Sequence, residues 1–230
     1  MKENPRTSCT VVDYKSKYFE VLSEEELKLI KDNEVNVTYK KGESICKQGT
    51  FASHIVIMEE GLAKVSVEEC GKSLILKIIP EGNIIGLTAI SDHNSTFQYS
   101  ATAYVDSKAR LIDIKVFKSI VKKNASFAFE LLNLLAANNV QIYGRFFCLT
   151  NKQSYGKLAD IILCLANRVY KKQEFDLLLS RKEIAELSDM STENVIRMLK
   201  KFKDDGLIEM NGKKFRIVDY DNLQKISALG

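Results

Sequence analysis

The chain has 230 residues, 45% of them hydrophobic and 28% charged, with 34 Lys and Arg against 30 Asp and Glu for a net charge of +4. That apolar share excludes a disordered chain, and no apolar run approaches the ~18–20 residues that cross a bilayer. The charge is too mild to imply a nucleic-acid partner unless it is gathered on one face.

The start, Met1-Lys2-Glu3-Asn4-Pro5-Arg6, carries no apolar core behind its charges. No secretory signal is visible, and a cytoplasmic chain is expected. The five cysteines, Cys9, Cys46, Cys70, Cys148 and Cys164, include no C-x-x-C pair, and His54 and His93 are the two histidines. Neither a zinc site nor a disulfide framework is expected, and the thiols are read as free. There is no Ser/His/Asp order, no phosphate loop and no carboxylate pair placed for acid–base work, so the chain is not read as an enzyme and no catalytic residue or metal ligand is assigned.

Leu22-Ser23-Glu24-Glu25-Glu26-Leu27 opens a short helix, with Ser23 as cap and Glu26 three residues on. Residues 35–118 hold six of the eleven glycines, in short segments rich in Val, Ile and Ala. Turn signals fall at Lys41-Gly42-Glu43, Gln48-Gly49, Glu60-Gly61, Cys70-Gly71 and Pro80-Glu81-Gly82, so an antiparallel barrel or sandwich is expected. Residues 55–58, 63–67, 74–79 and 109–114 supply its apolar faces.

From about residue 125 to 149 the glycines thin out and the period changes to helical. Phe127, Leu131, Leu134 or Leu135, Asn138, Ile142 and Phe146 form one stripe, while Phe129, Leu132, Ala136 and Val140 form another. One stripe is expected to pack on the β domain and the other on a second copy. Thr150-Asn151-Lys152-Gln153-Ser154 looks like a hinge. A helix carrying Leu158, Ile161, Ile162 and Leu165 follows and ends near Tyr170. Residues 150–230 carry +3 of the net charge.

Leu179-Ser180-Arg181-Lys182-Glu183-Ile184-Ala185-Glu186-Leu187 begins with a capping box, Ser180 to Glu183. Ser188-Asp189-Met190 breaks that helix, and Ser191 caps another over 192–203, with Val195, Met198, Leu199 and Phe202 inward. Gly206 is a stop signal. Residues 207–210 and 213–218, joined at Asn211-Gly212, read as a hairpin with a type I′ turn. Helix, turn, helix and hairpin make a winged helix-turn-helix, whose second helix can enter the major groove. Arg197 can donate twice to a guanine edge, and Glu193 can accept from a cytosine amino group. Lys182, Lys201, Lys213 and Lys214, with the backbone amides at the Ser191 cap, are placed for phosphates.

Two blocks now stand out. The first is Lys41-Gly42-Glu43 … Gly49 … Glu60-Gly61-Leu62-Ala63-Lys64-Val65 … Gly71 … Pro80-Glu81-Gly82-Asn83-Ile84-Ile85-Gly86, and the second runs from Leu179 through Ser191-Thr192-Glu193-Asn194-Val195-Ile196-Arg197-Met198-Leu199. Through them, residues 20–225 resemble a transcription regulator of the cyclic-AMP receptor protein/FNR (Crp/Fnr) family. The resemblance implies an α+β fold in three parts. These are an N-terminal helix with a cyclic-nucleotide-binding-like β-roll sensor (1–118), a long dimerisation helix (119–149), and a winged helix-turn-helix DNA-binding domain (150–230). It further implies a homodimer through residues 125–149, double-stranded DNA with an inverted-repeat operator, contact with RNA polymerase, and no membrane. Glu193 and Arg197 match the family's recognition positions, whereas Thr192 and Ile196 depart from the best-known members. Ser180, Asn194 and Lys200 complete the candidate DNA-binding set.

The sensor block departs from the nucleotide-binding pattern. Where the resemblance implies a Glu for the ribose, Gly86 is followed by Leu87; where it implies an Arg for the phosphate, Tyr99 precedes Ser100-Ala101. Losing that Arg removes the bidentate cation. Cyclic AMP is therefore not the expected effector, no cofactor is identified, and the signal is another small molecule or none. Ile85, Gly86, Leu87 and Thr88 line the degenerate pocket from one side. Tyr99, Ser100 and Ala101 line it from another, and Asn138 and Ile142 from the long helix. Only Cys9 lies near the N-terminus, against an iron–sulfur cluster, and Cys70 with His54 or His93 makes no haem pattern. The alternatives are a cyclic-AMP response through an atypical pocket and a thiol switch at Cys46, Cys70 or Cys148.

Overall fold

In the computed structural model residues 18–230 are described. They divide into two compact units, one ending at Asn139 and the other Val140–Gly230. The N-terminal segment with Cys9 lies outside the described residues.

The first unit begins with helix α1 (Glu24–Lys31). Its capping box forms as expected, with Ser23 Oγ accepting from the Glu26 amide at 3.2 Å and Glu26 Oε2 accepting from the Ser23 amide at 2.9 Å. Eight strands follow: β1 (Glu34–Tyr39), β2 (Ser44–Cys46), β3 (His54–Glu60), β4 (Leu62–Glu69), β5 (Lys72–Pro80), β6 (Ile84–Ile85), β7 (Ser100–Ala103) and β8 (Ser107–Asp113). They pair antiparallel in two four-stranded sheets, ordered β1-β8-β3-β6 and β2-β7-β4-β5. Ile55, Val65, Ile79, Ala101, Ala109 and Ile112 sit at the core of the two sheets. The six glycines of this region all take positive φ, which explains why turns needed them. Gly61 is the strictest case, because a Cβ there would lie 2.3 Å from Ser107 Oγ and 2.8 Å from its Cα.

Two helices close the unit. Helix α2 (Ile114–Lys123) was not separated in the sequence pattern from α3 (Ala125–Asn151), which follows it. Asn124 makes the joint. Its backbone leaves the helical region, its Oδ1 accepts from the Phe127 amide at 2.9 Å, and its Nδ2 donates to Val21 O and to Glu26 Oε2. Phe117 and Phe127 meet edge to face at 5.4 Å across the joint.

Helix α3 passes from one unit to the other between Asn139 and Val140. Phe127, Leu131 and Leu134 are buried while Phe129 and Leu132 are exposed, so two stripes separate as the periodicity predicts. Beyond Asn138 the buried side runs through Arg145 and Cys148, not through Ile142 and Phe146, which are exposed. A 3.6-residue helix drifts away from a seam drawn strictly at three- and four-residue steps.

In the second unit α4 (Ser154–Cys164) continues into a π-helical turn (Leu165–Tyr170). Then come β9 (Glu174–Asp176), α5 (Arg181–Ser188), α6 (Thr192–Asp204), β10 (Ile208–Asn211), β11 (Lys214–Ile217) and α7 (Tyr220–Leu229). Strands β10-β11-β9 form one sheet. Phe175 of β9 stacks between Tyr170, at 4.2 Å, and Phe215 of β11, at 5.3 Å. Asn211 pairs with Lys214, so the two-residue loop of the hairpin is Gly212-Lys213, one residue later than expected. Only Gly212 has positive φ, which is the pattern of a type II′ turn and not of type I′.

The segment expected as a hinge is tied down on its Lys152 side. Lys152 Nζ pairs with Asp160 Oδ2 of α4 at 2.8 Å and donates to the Ser227 carbonyl of α7, while Ser227 Oγ donates to Asp160 Oδ1. Both charged side chains are nearly inaccessible, 10% and 5% exposed. Cys46 and Cys70 are free thiols, but Cys164 is disulfide-bonded, against the expectation of free thiols throughout. No helix among the described residues is long and apolar enough to cross a membrane.

Removing one partner of a buried pair leaves the other charge uncompensated, a cost of about 3–5 kcal/mol. Lys152→Met should therefore destabilise the second unit by that order in urea unfolding followed by circular dichroism. The double variant Lys152→Met/Asp160→Leu should recover most of the loss.

Candidate functional site

Helix α6 has two faces set by its own spacing. Val195, Met198, Leu199 and Phe202 recur at i, i+3, i+4 and i+7 and are buried. Glu193, Ile196, Arg197 and Lys200 recur at the same steps on the other side and are exposed, Ile196 at 52%. Ser191 caps the helix, its Oγ accepting from the Asn194 amide at 3.2 Å, and the remaining first-turn amides have no intrahelical acceptor. Arg197 Nη2 donates to Asn194 Oδ1 at 2.8 Å, which steers the guanidinium along the exposed face one turn from the cap.

The turn ahead of α6 is built without glycine. Asp189 takes the left-handed conformation, φ 52°, at the C-cap of α5. The orphan carbonyls at that helix end find partners in turn. Ser188 Oγ donates to Ala185 O at 3.2 Å, the Met190 amide donates to the same oxygen at 3.0 Å, and Arg145 Nη2 of α3 donates to Leu187 O at 2.6 Å. Arg145 is 3% exposed, and nothing in the helical pattern distinguished it from a solvated arginine.

The other expected DNA-facing residues scatter. Ser180 is engaged in its capping box, with Glu183 Oε2 accepting from its amide at 2.6 Å. Thr192 and Asn194 are half-buried, Lys182 is exposed on the first turn of α5, and Lys213 sits in the hairpin loop. Lys201 departs from the set, because its ammonium lies over the Tyr155 ring of α4, 5.7 Å from the centroid.

In the first unit, Ile85, Leu87 and Ala101 are buried. Gly86, at φ 99°, starts a 3-10 turn (Leu87–Ile90), and its amide donates to the Tyr99 hydroxyl at 2.7 Å. Burial pushes the Tyr99 phenol well above its ordinary range, so it stays protonated. Tyr99 thus fills the amide position at the start of the turn with its own oxygen. Ser100 Oγ accepts from the Gln48 amide at 3.1 Å. Ile142 does not join the group, being 44% exposed. The Cys46 thiol is pushed up to about 11 by burial, against the thiolate a redox switch needs.

One residue of this interior was not anticipated. Lys77 of β5 is partly buried, and its Nζ donates to Asn138 Oδ1 of α3 at 2.8 Å. Desolvation pushes its pKa down to about 8. Both residues lie in the first unit. The alternation of Leu74-Ile75-Leu76-Lys77 marks no inward lysine, because a bulge opposite Val65 and Ser66 resets the register.

Residues 36–124 match the model of the cyclic nucleotide-binding domain, and residues 156–226 match the Crp-like helix-turn-helix domain. The chain is similar to Electron transport regulator A of Shewanella oneidensis, 26% identical over 194 residues, covering 82% of this chain and 77% of that protein. It is 24% identical over 195 residues to the Fumarate and nitrate reduction regulatory protein of Escherichia coli, with the same coverage. In fold it resembles FixK2 from Bradyrhizobium japonicum (TM-score 0.78, 18% identity, 86% of this chain and 98% of that one). CooA from Carboxydothermus hydrogenoformans, in a mutant form, gives 0.72 at 20% identity, over 94% and 96%.

Two outcomes follow from these contacts. Arg145→Met leaves the buried Leu187 carbonyl without its charged donor, and should lower stability in urea unfolding by about 2–3 kcal/mol. For Lys77, the folded pKa of about 8 lies below the ordinary 10.5. Between those values the unfolded chain binds more protons, so stability should rise as pH climbs from 8 to 10, the full cost being present below 8. Lys77→Met should abolish that rise and stabilise the protein at neutral pH by about 2 kcal/mol, after allowance for partial exposure and the lost Asn138 bond.

Proposed function

The chain belongs to the Crp/Fnr family of transcription regulators, DNA-binding proteins and not enzymes, and on that premise we propose that it acts as a homodimer on an inverted-repeat operator. Its first unit answers to a signal other than a cyclic nucleotide, or to none.

The observation that carries the DNA reading is the division of α6. Four apolar residues hold the helix from behind, and Glu193, Ile196, Arg197 and Lys200 are exposed on the opposite face. A helix of that width fits the major groove. Arg197 then donates to a guanine edge, Glu193 accepts from a cytosine, and Ile196 and Thr192 contact the neighbouring bases. Ser191 and the first-turn amides, with Lys182, Lys200 and Lys213, hold phosphates and fix the register. Lys201 is the weakest member, since Tyr155 already occupies its head group.

The dimer reading rests on the exposed stripe of α3. Phe129, Leu132, Val140, Tyr143, Phe146 and Phe147 are each 57–69% exposed. An apolar row of this length is a liability on a monomer and a seam on a pair. Two copies place two recognition helices about one turn of DNA apart. Once seated, the dimer is expected to meet RNA polymerase, as the family resemblance implies.

Against cyclic AMP stand Leu87, which is buried and apolar, and Tyr99, whose hydroxyl takes the Gly86 amide. Against a thiol switch at Cys46 stands its protonated, buried thiol.

Three measurements test the proposal. Arg197→Ala should weaken operator binding by about 1–3 kcal/mol and relax one base position, read by electrophoretic mobility shift on single-base operator variants; unchanged affinity removes Arg197 from the interface. Phe129→Lys combined with Phe146→Lys should yield a monomer by light scattering and lose operator binding. Cyclic AMP at millimolar concentration should leave operator affinity unchanged, and a large gain would overturn the sensor reading.

A further inference from the structure

Lys77 stands opposite Val65 of β4, Val65 opposite Ala101 of β7, and Ala101 opposite Cys46 of β2. Directly opposed residues share one face of a sheet. The lysine therefore belongs to a row whose other members are buried and uncharged. Two residues before Ala101 is Tyr99, which closes the Gly86 amide.

An ammonium has three N–H donors. Among the described residues, Asn138 Oδ1 takes one of them and no carboxylate faces the other two. Lysines near apolar surface normally extend their head group to water. Holding one inside with neither counter-charge nor full hydrogen bonding is costly, and a methionine would fit the same row at less expense. Asn138 has a second group to offer, since its Nδ2 donates to no described residue while its Oδ1 serves the lysine. Two donor groups, one of them positive, thus meet at this contact between β5 and α3, both side chains being partly buried.

We infer that Lys77 and Asn138 form the binding point for a small monocarboxylate with an apolar body, one carboxylate oxygen accepting from the Lys77 ammonium and the other from Asn138 Nδ2. A carboxylate supplies one negative charge and two acceptors, which matches this pair. A phosphate dianion would need a second cation, and the row offers none. Val65 and Ala101 suit an apolar body and give no polar group to a sugar or a base. The ligand would join a strand of the β-roll to the long helix through Asn138. The inference rests on reading the first unit as the regulator's sensing half.

The test uses the full chain, ligand-free, with sodium butyrate, hexanoate, benzoate and phenylacetate as probes at millimolar concentration. Sodium chloride and the matching amides serve as controls. At least one carboxylate should raise Tm by roughly 3 °C while its amide does not. Lys77→Met should lose the shift, and Lys77→Arg should keep most of it. The site is overturned if no carboxylate exceeds chloride, or if Lys77→Met responds as the parent does. Operator binding measured in parallel separates the two readings. A carboxylate shift with no operator binding would support the site and count against the regulator, whereas operator binding without any shift would overturn the site alone.

Discussion

A single charged hydrogen bond organises the DNA-binding half. Arg145, from the last turns of the long helix, is buried and gives its Nη2 to the carbonyl of Leu187 at 2.6 Å. That carbonyl is one of the orphans at the end of α5, where the chain must turn within a few residues to start α6. With it satisfied, Asp189 can take the left-handed conformation and Ser191 can cap the recognition helix. Every exposed residue of α6 is aimed by that turn. Within the second unit Arg145 ties the last turns of α3 to the end of α5, and Lys152, Asp160 and Ser227 tie the following segment to α4 and α7. A buried ionic cluster is a poor source of stability but a strong constraint on geometry, and geometry is what a recognition helix requires.

The first unit shows the opposite economy. Tyr99 satisfies the Gly86 amide from within the chain, so the start of the 3-10 turn needs no outside acceptor. A few residues away, Lys77 is held in surroundings that lower its pKa to about 8 and leave two of its donors unmatched among the described residues. A chain that only needed a stable β-roll would gain by replacing that lysine with an apolar residue.

Much of this was legible in the residues themselves. Both capping boxes, Ser23 with Glu26 and Ser180 with Glu183, formed as their spacing requires, because a cap is a contact between residues three apart. The turn glycines could be read for a similar reason, since positive φ is a property of one residue and its neighbours. The two faces of α6 follow from helical geometry alone. By contrast, β9 has three residues and no pattern of its own; it exists because Phe175 stacks on Tyr170 and Phe215. Asn124 looks like any polar residue inside a helical stretch until Glu26 and Val21 come to meet it.

The sequence by itself determined the family, the capped helices and glycine turns, and which side of α6 faces out, since all of these rest on local spacing and conformational preference. Tertiary structure decided what long-range contacts alone can decide. A one-residue shift moved the hairpin loop to Gly212-Lys213, a bulge in β5 reset the register at Lys77, and the end of α5 recruited Arg145 from a helix some forty residues away. The physical reason is common to the three. A side chain's direction depends on the register of its partner strand or on the need of a distant orphan group, and neither is written in its own neighbourhood.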